Sequence, residues 1–128
     1  MLNIAHAVLC SDIIIDKRTG QVSYFKAIER VYTSKLPLSI SDAKIGSLWI
    51  CDTPQTAAVR MNLVDPQKKS ICLKQFSLDM QSSFQKVHIN VEQILFSQEG
   101  MYMLLLNVKQ SDIWSTLAMM PILITRAS

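Results

Sequence analysis

The sequence predicts an all-β protein, folded as a two-sheet antiparallel β-sandwich of about nine strands. Short segments rich in β-branched and aromatic residues follow one another at regular spacing, and the polar breaks between them are too short for crossover helices. Near the end of the chain, Gly100 stands two residues before Tyr102 at the entrance to an apolar strand. That pattern is typical of a β-sandwich corner.

Composition is consistent with one folded domain covering residues 1–128. Hydrophobic residues make up 49% of the chain and charged residues 18%, with only three glycines and four prolines. A chain of this length removes roughly two-thirds of its unfolded surface from water, which is enough for an independent core. Neither a linker nor a disordered segment is expected.

The N-terminal region predicts a hairpin. Residues 4–9 and 12–16 are two apolar runs, each expected to form a short strand. The polar turn that follows ends in Gly20, which easily adopts the left-handed conformation of a hairpin loop. Residues 21–25 are then expected to return antiparallel to the second run.

The middle of the chain predicts further strands. Residues 27–33 fit either a helical face or a strand, and their β-branched and aromatic content favours the strand. The Leu36-Pro37 pair ends that segment, and residues 44–50 form the next strand, with Gly46 as a possible bulge. Residues 57–64 and 71–78 form a second hairpin around a turn at Asp65-Pro66.

Residues 84–91 alternate cleanly, with Lys86, His88 and Asn90 expected on the wet face. Residues 92–95 are expected to make one helical turn that crosses between the sheets. The closing hairpin is predicted from residues 102–108 and 113–119, and a bend at Pro121 precedes a last short strand at 122–125.

The sequence contains no pattern typical of an enzyme or a cofactor site. Cys10, Cys51 and Cys72 lack zinc-ligand spacing, the three glycines form no phosphate loop, and no nearby base would activate Cys10. Cys10 is interpreted as a core residue, and Asp12 and Asp16 as solubilising strand ends. We therefore expect a non-enzymatic protein that needs no metal and no cofactor.

Charge and hydropathy narrow the expected partners and location. The net charge is +3, but the cations are scattered rather than arranged in a basic stripe, which argues against nucleic acid. No apolar run approaches the roughly 18 residues of a spanning helix, and no signal peptide is recognised, so no membrane association is expected. An odd number of cysteines favours a reducing compartment, and the cytoplasm is the expected location.

The C-terminal hairpin is too apolar for a strand pair with one face in water. If Tyr102 and the residues alternating with it point into the core, the residues between them point outward without polar character. One interpretation is that another element of the chain covers this face. The other is a self-association or partner-binding surface, for which the predicted contacts are Met101, Met103, Leu105, Trp114 and Leu117.

Four short patterns resemble a family of small, uncharacterised bacterial proteins: residues 7–12, the hairpin turn at 17–20, the Leu36-Pro37 break, and Phe96 followed by the Gly100-x-Tyr102 corner. The resemblance spans nearly the whole chain and implies a compact β-rich domain of unknown function, with no catalytic residues to transfer. The corner is also similar to that of an immunoglobulin-like sandwich, and a C2-like sandwich fits the same strand count.

Two functions are consistent with these patterns. The favoured one is a protein-interaction module that forms a homo-oligomer, or binds another protein, through the outer face of the C-terminal hairpin. The alternative is a small-ligand-binding or accessory subunit that uses a cleft or the loops of the sandwich, with Trp49, Tyr24 and His88 as candidate lining residues.

Overall fold

The computed structural model describes residues 1–127, which form two stacked β-sheets with nine strands and no helix. The strands are β1 (Leu2–Ile15), β2 (Val22–Ala27), β3 (Arg30–Thr33), β4 (Leu38–Cys51), β5 (Gln55–Val64), β6 (Ser70–Met80), β7 (Phe84–Phe96), β8 (Gly100–Gln110) and β9 (Ile113–Arg126). The predicted fold class, an all-β two-sheet sandwich, is confirmed.

The two sheets differ in pairing. Sheet I has the order β2-β1-β4-β7 and is antiparallel throughout, whereas sheet II has the order β3-β9-β8-β5-β6. In sheet II, β3 pairs with β9 in parallel, and the other neighbours are antiparallel. The expectation of antiparallel pairing is therefore wrong for this one pair. The reason is that β3 is reached from sheet I rather than by a hairpin turn from β9.

Residues 28–29 make that crossing between the sheets. The Ile28 amide donates to Leu9 O in sheet I, and the next residue, Glu29, accepts a hydrogen bond from the Leu123 amide in sheet II, each at 2.8 Å. The strand interpretation of residues 27–33 is confirmed for β3, while residue 27 closes β2.

Two pairs of predicted strands are each one continuous strand. Residues 4–9 and 12–15 both lie in β1, which ends before Asp16. At Cys10 the strand exchanges its partner β4 for β2, and the ladder continues. Residues 113–119 and 122–125 both lie in β9, through Pro121. Pro121 is tolerated because its nitrogen points to the same side of β9 as the Leu123 amide, away from β8. On that side β3 pairs with β9 only from Leu123 onward, so within residues 1–127 no strand needs a donor from Pro121.

The predicted helical turn at residues 92–95 is wrong. Strand β7 continues to Phe96, and the irregularity is a local bulge around the pair of Glu92 with Ala43, where Val91 of β7 and Asp42 of β4 are extra residues; Glu92 has a φ of 71°. Ile94 and Phe96 are both fully buried. An extended backbone places these alternate side chains in the core, and because each strand carries one extra residue, the register of β4 and β7 is the same on both sides of the bulge.

The predicted corner is present at the start of β8. The Tyr102 hydroxyl donates to Gln98 O and accepts from the Gln98 amide, both at 3.3 Å, and its ring meets Phe96 edge-on at 4.9 Å between centroids. Tyr102 begins an inward row with Leu104 and Leu106, all of them buried. The loop before β8 is thus tied to the core by a single side chain.

Replacing Tyr102 with Phe is expected to lower the free energy of unfolding by about 1–2 kcal/mol, because it leaves the partly buried Gln98 backbone groups without a partner. Urea unfolding followed by circular dichroism measures this loss. Tyr32→Phe is the matched control, since the Tyr32 hydroxyl accepts only from Arg30 at the surface. Equal losses in the two variants would contradict a structural role for the corner.

Candidate interaction surface

The outer face of sheet II is apolar over part of the neighbouring strands β8 and β9. On β8, Met101, Met103 and Leu105 alternate with the buried inward row that begins at Tyr102. Because successive side chains of a strand point to opposite faces, these three residues lie on the outer face, as the sequence predicts.

Strand β9 supplies matching apolar side chains. The register pairs Met101 with Leu123, Met103 with Pro121, and Leu105 with Met119. Directly opposed residues on one face of an antiparallel pair have neighbouring side chains. We call this set the methionine face; it consists of Met101, Met103, Leu105, Met119, Pro121 and Leu123.

The methionine face is open to solvent. Met119 is 65% exposed and Met101 is 49% exposed, while Met103 and Leu105 are half-buried between their neighbours. No element of residues 1–127 covers the face, so coverage from within the chain, which the sequence left open, is absent from the described part. A contiguous apolar surface on a sheet typically marks an interaction site.

Sheet I contrasts with sheet II because its outer face is partly covered by its own chain. The β1–β2 hairpin folds across it: Lys86 on β7 donates to Gly20 O at the hairpin tip, and the Tyr24 ring lies against Gly46 on β4. Gly46 is in regular register and is not a bulge, which corrects that prediction. Its missing side chain leaves the space that the ring occupies.

A β-bulge in β9 decides which residues reach the outer face. The β8–β9 register shifts between Leu106 and Asn107, so that Leu117 is the extra residue. Trp114, before the bulge, and Met119, after it, therefore both face outward, whereas regular alternation would place them on opposite faces.

Leu117 does not join the methionine face. It is half-buried, packs against the core, and lines a hollow of about 620 Å³ at one end of the sandwich, together with Ala57 and Ser115. Its predicted position on the outer face is therefore corrected. No local pattern in the sequence indicates the bulge that directs the Leu117 side chain away from the outer face.

Trp114 lies on the outer face but outside the apolar region. It is paired with Lys109, and the guanidinium carbon of Arg60 lies 4.1 Å from its ring centroid. Beside it, Thr116 donates to Asn107 Oδ1 at 2.6 Å. The outer face of sheet II is thus divided into the methionine face and a polar end around Trp114.

Met119, Pro121 and Leu123 belong to this surface although they were not predicted from the sequence. These residues alternate with the buried Met120, Ile122 and Ile124, and that alternation is the available signal. The expected bend at Pro121 concealed it for Pro121 and Leu123, and the bulge at Leu117 concealed it for Met119.

The three residues expected to line a ligand cleft are not brought together. Trp49 is fully buried, and its Nε1 donates to Ser47 Oγ at 2.8 Å, so it lines no cleft. Tyr24 lies over Gly46 on the outside of sheet I, and His88 is exposed on β7 beside a hollow of about 360 Å³. Desolvation, with a smaller contribution from Lys86, lowers the pKa of His88.

The cysteines and acidic groups are dispersed. All three cysteines are free; Cys10 and Cys51 are buried and Cys72 is exposed. Burial raises the pKa of the Cys10 thiol. Within residues 1–127, no three His, Cys, Asp or Glu side chains are grouped as metal ligands. The same residues include no helix long and apolar enough to span a bilayer.

Comparisons with known proteins show distant structural similarity only. No family model and no curated protein matches the chain. Among solved structures, the chain is similar to Pseudomonas fluorescens alkylpurine DNA glycosylase AlkC bound to DNA containing an abasic site analog, with a TM-score of 0.49 and 12% identity. The match covers 98% of this chain and 30% of that one, so this chain spans less than a third of that protein.

Proposed function

We propose that this chain is a cytoplasmic, non-enzymatic interaction module that self-associates through the methionine face of sheet II. The observation that carries the proposal is the contiguous solvent-open face formed by three cross-strand apolar pairs. An outward sheet face in water ordinarily carries polar side chains. Removing these side chains from water would stabilise an assembly.

A second copy of the chain is the partner that this surface best fits. No charged residue lies among the six residues of the methionine face, so two copies related by a two-fold axis would meet without opposing like charges. The two methionines on β8 and the one on β9 are flexible enough to adapt to an identical surface. A standard interface buries roughly 800 Å² per partner, and the methionine face lies on two neighbouring strands of a five-stranded sheet.

The open edge of β9 is less suitable for association than the face. Before Leu123, β9 has no strand partner on the side away from β8 in residues 1–127, whereas from Leu123 onward it pairs with β3. Pro121 removes a backbone donor on that side, which hinders pairing with an added strand. This favours association by face-to-face packing.

Met103→Asp is expected to convert the oligomer to a monomer. Met103 lies between its cross-strand neighbours Val64 and Pro121, so a buried carboxylate there would lack a partner in the assembly. Light scattering coupled to size-exclusion chromatography measures the particle mass over a range of concentrations. Because Met103 is only half-buried and lies outside the core, we expect an unchanged circular dichroism spectrum.

Ile113→Asp is the matched control. Ile113 is a 68% exposed hydrophobic residue at the start of β9, the strand paired with that of Met103, and it lies outside the methionine face. The Ile113→Asp variant should have the same particle mass as the wild type. A wild-type protein that stays monomeric at every concentration, or equal effects of the two substitutions, would refute self-association through this face.

A further inference from the structure

Arg60, on the outer face of sheet II, is held in place by two contacts. Its guanidinium lies over the Trp114 ring, with 4.1 Å from the guanidinium carbon to the ring centroid. Its Nε donates to Gln75 Oε1 at 3.1 Å. The ring supports the guanidinium from below, and the amide fixes one of its edges, so little side-chain freedom remains to be lost when a ligand binds.

The remaining donors of Arg60 are unused. Within residues 1–127 its terminal nitrogens make no hydrogen bond, and the ion pairs of this part of the chain join Met1 to Asp52 and Lys44 to Asp12 instead. A guanidinium in this state presents two parallel N–H groups on its free edge. That geometry matches the two oxygens of a carboxylate.

Neighbouring side chains add donors rather than acceptors. Asn107 lies directly opposite Arg60, and its Oδ1 is already occupied by the Thr116 hydroxyl, whereas its Nδ2 has no partner within residues 1–127. Lys109 is two residues further along the same face of β8, diagonal to Arg60. The Asn107 amide and the Lys109 ammonium group thus add hydrogen-bond donors beside Arg60. The acceptor among them, Asn107 Oδ1, already has a partner.

We propose that Arg60, supported by Trp114 and flanked by Asn107 and Lys109, forms a carboxylate-binding site. A carboxylate suits this site because one guanidinium edge satisfies both of its oxygens in a single plane. A phosphate group can form the same bidentate pair with an arginine but carries more oxygens and a higher charge, so it is the competing ligand in the test. The site lies outside the methionine face and does not depend on self-association.

Carboxylate titrations followed by two-dimensional NMR test the site. Wild-type protein labelled with ¹⁵N is titrated at constant ionic strength with acetate, with succinate, with inorganic phosphate and with a glutamate-rich peptide. We expect saturable shifts of the Arg60 Nε–H and Trp114 Nε1–H signals with carboxylates. Response to acetate and succinate would identify a site for free carboxylates, and response to the peptide alone a site for a protein-borne carboxylate.

Substitutions at Arg60 connect the signal to the site. Arg60→Gln is expected to weaken binding by roughly tenfold or more, because it removes the charge and the fork together. Arg60→Lys keeps the charge but should also bind more weakly. Arg30→Gln is the matched control, since Arg30 also lies against an aromatic ring, that of Tyr32, on the same face and should leave binding unchanged.

Three results would overturn the proposal: no saturable shift with any carboxylate, equal binding by wild type and Arg60→Gln, or tighter binding of phosphate than of carboxylates. Met103→Asp should bind carboxylate as the wild type does. Its mass and its carboxylate binding therefore separate a failure of this site from a failure of self-association.

Discussion

Replacing Trp49 with alanine is expected to lower the free energy of unfolding by about 3–5 kcal/mol, the largest loss among the substitutions considered. Trp49 is fully buried in β4, the strand that pairs with both β1 and β7. Truncation removes the apolar contacts of the largest side chain in the core and leaves a cavity. Because the sheets pack on both sides, the surrounding strands cannot easily collapse into it.

Trp49 also takes part in a chain of two buried hydrogen bonds. Its Nε1 donates to Ser47 Oγ, and the Ser47 hydroxyl donates to Val87 O on β7 at 2.6 Å. Ser47 is itself fully buried. Ser47→Ala should therefore cost about 1–3 kcal/mol, because the indole N–H loses its acceptor inside the core.

Urea unfolding of the two single variants and the double variant measures both effects. We expect the losses to be less than additive, because Ser47 and Trp49 share one hydrogen bond. Ile50→Ala is the matched control on the same strand, since Ile50 is exposed and should lose little. A loss below about 1 kcal/mol for Trp49→Ala would contradict this account of the core.

Gly46→Ala is expected to destabilise the protein by about 1–3 kcal/mol. A Cβ at this position would stand 2.2 Å from Tyr24 Cε1, so the ring must leave its place on sheet I. The displaced ring would loosen the β1–β2 hairpin, including the contact of Lys86 with Gly20. Urea unfolding gives the loss, and amide hydrogen exchange should show faster opening of the hairpin.

Gly46→Ala should stabilise the protein, and no longer destabilise it, once the Tyr24 ring is removed. In a Tyr24→Ala background, Gly46→Ala meets no obstacle and should stabilise the strand by roughly 0.5–1 kcal/mol, because glycine loses more conformational freedom than alanine on folding. The double-mutant cycle therefore measures the contact between ring and backbone. Equal effects of Gly46→Ala in both backgrounds would show that the ring does not occupy this space.

Patterns local to one strand predicted much of the fold. The alternation through residues 84–91 placed Val87 and Ile89 toward the core and left Lys86 and His88 outside, as the structure shows. The hairpin turn at Gly20, whose φ is 75°, was also predicted. A period of two residues and a glycine turn are properties of neighbouring residues, which a sequence displays directly.

Features that depend on strands distant in sequence were not predicted. The exchange of partners along β1, the parallel pairing of β3 with β9 and the bulges opposite Ala43 and at Leu117 arise only when the ladders assemble. A bulge shifts register by one residue and reverses the faces of all residues beyond it. This is why Met119 was missed and Leu117 was misplaced.

The sequence by itself determined that the chain is an all-β sandwich and that Met101, Met103 and Leu105 lie opposite the core, since strand alternation requires only the order of residues. Tertiary structure decided the composition of the surface around them. Cross-strand register added Met119, Pro121 and Leu123 to the apolar face. It also placed Arg60, from a strand about fifty residues earlier, over Trp114. Such contacts between distant segments depend on which strands are neighbours and in what register, and no local pattern encodes that choice.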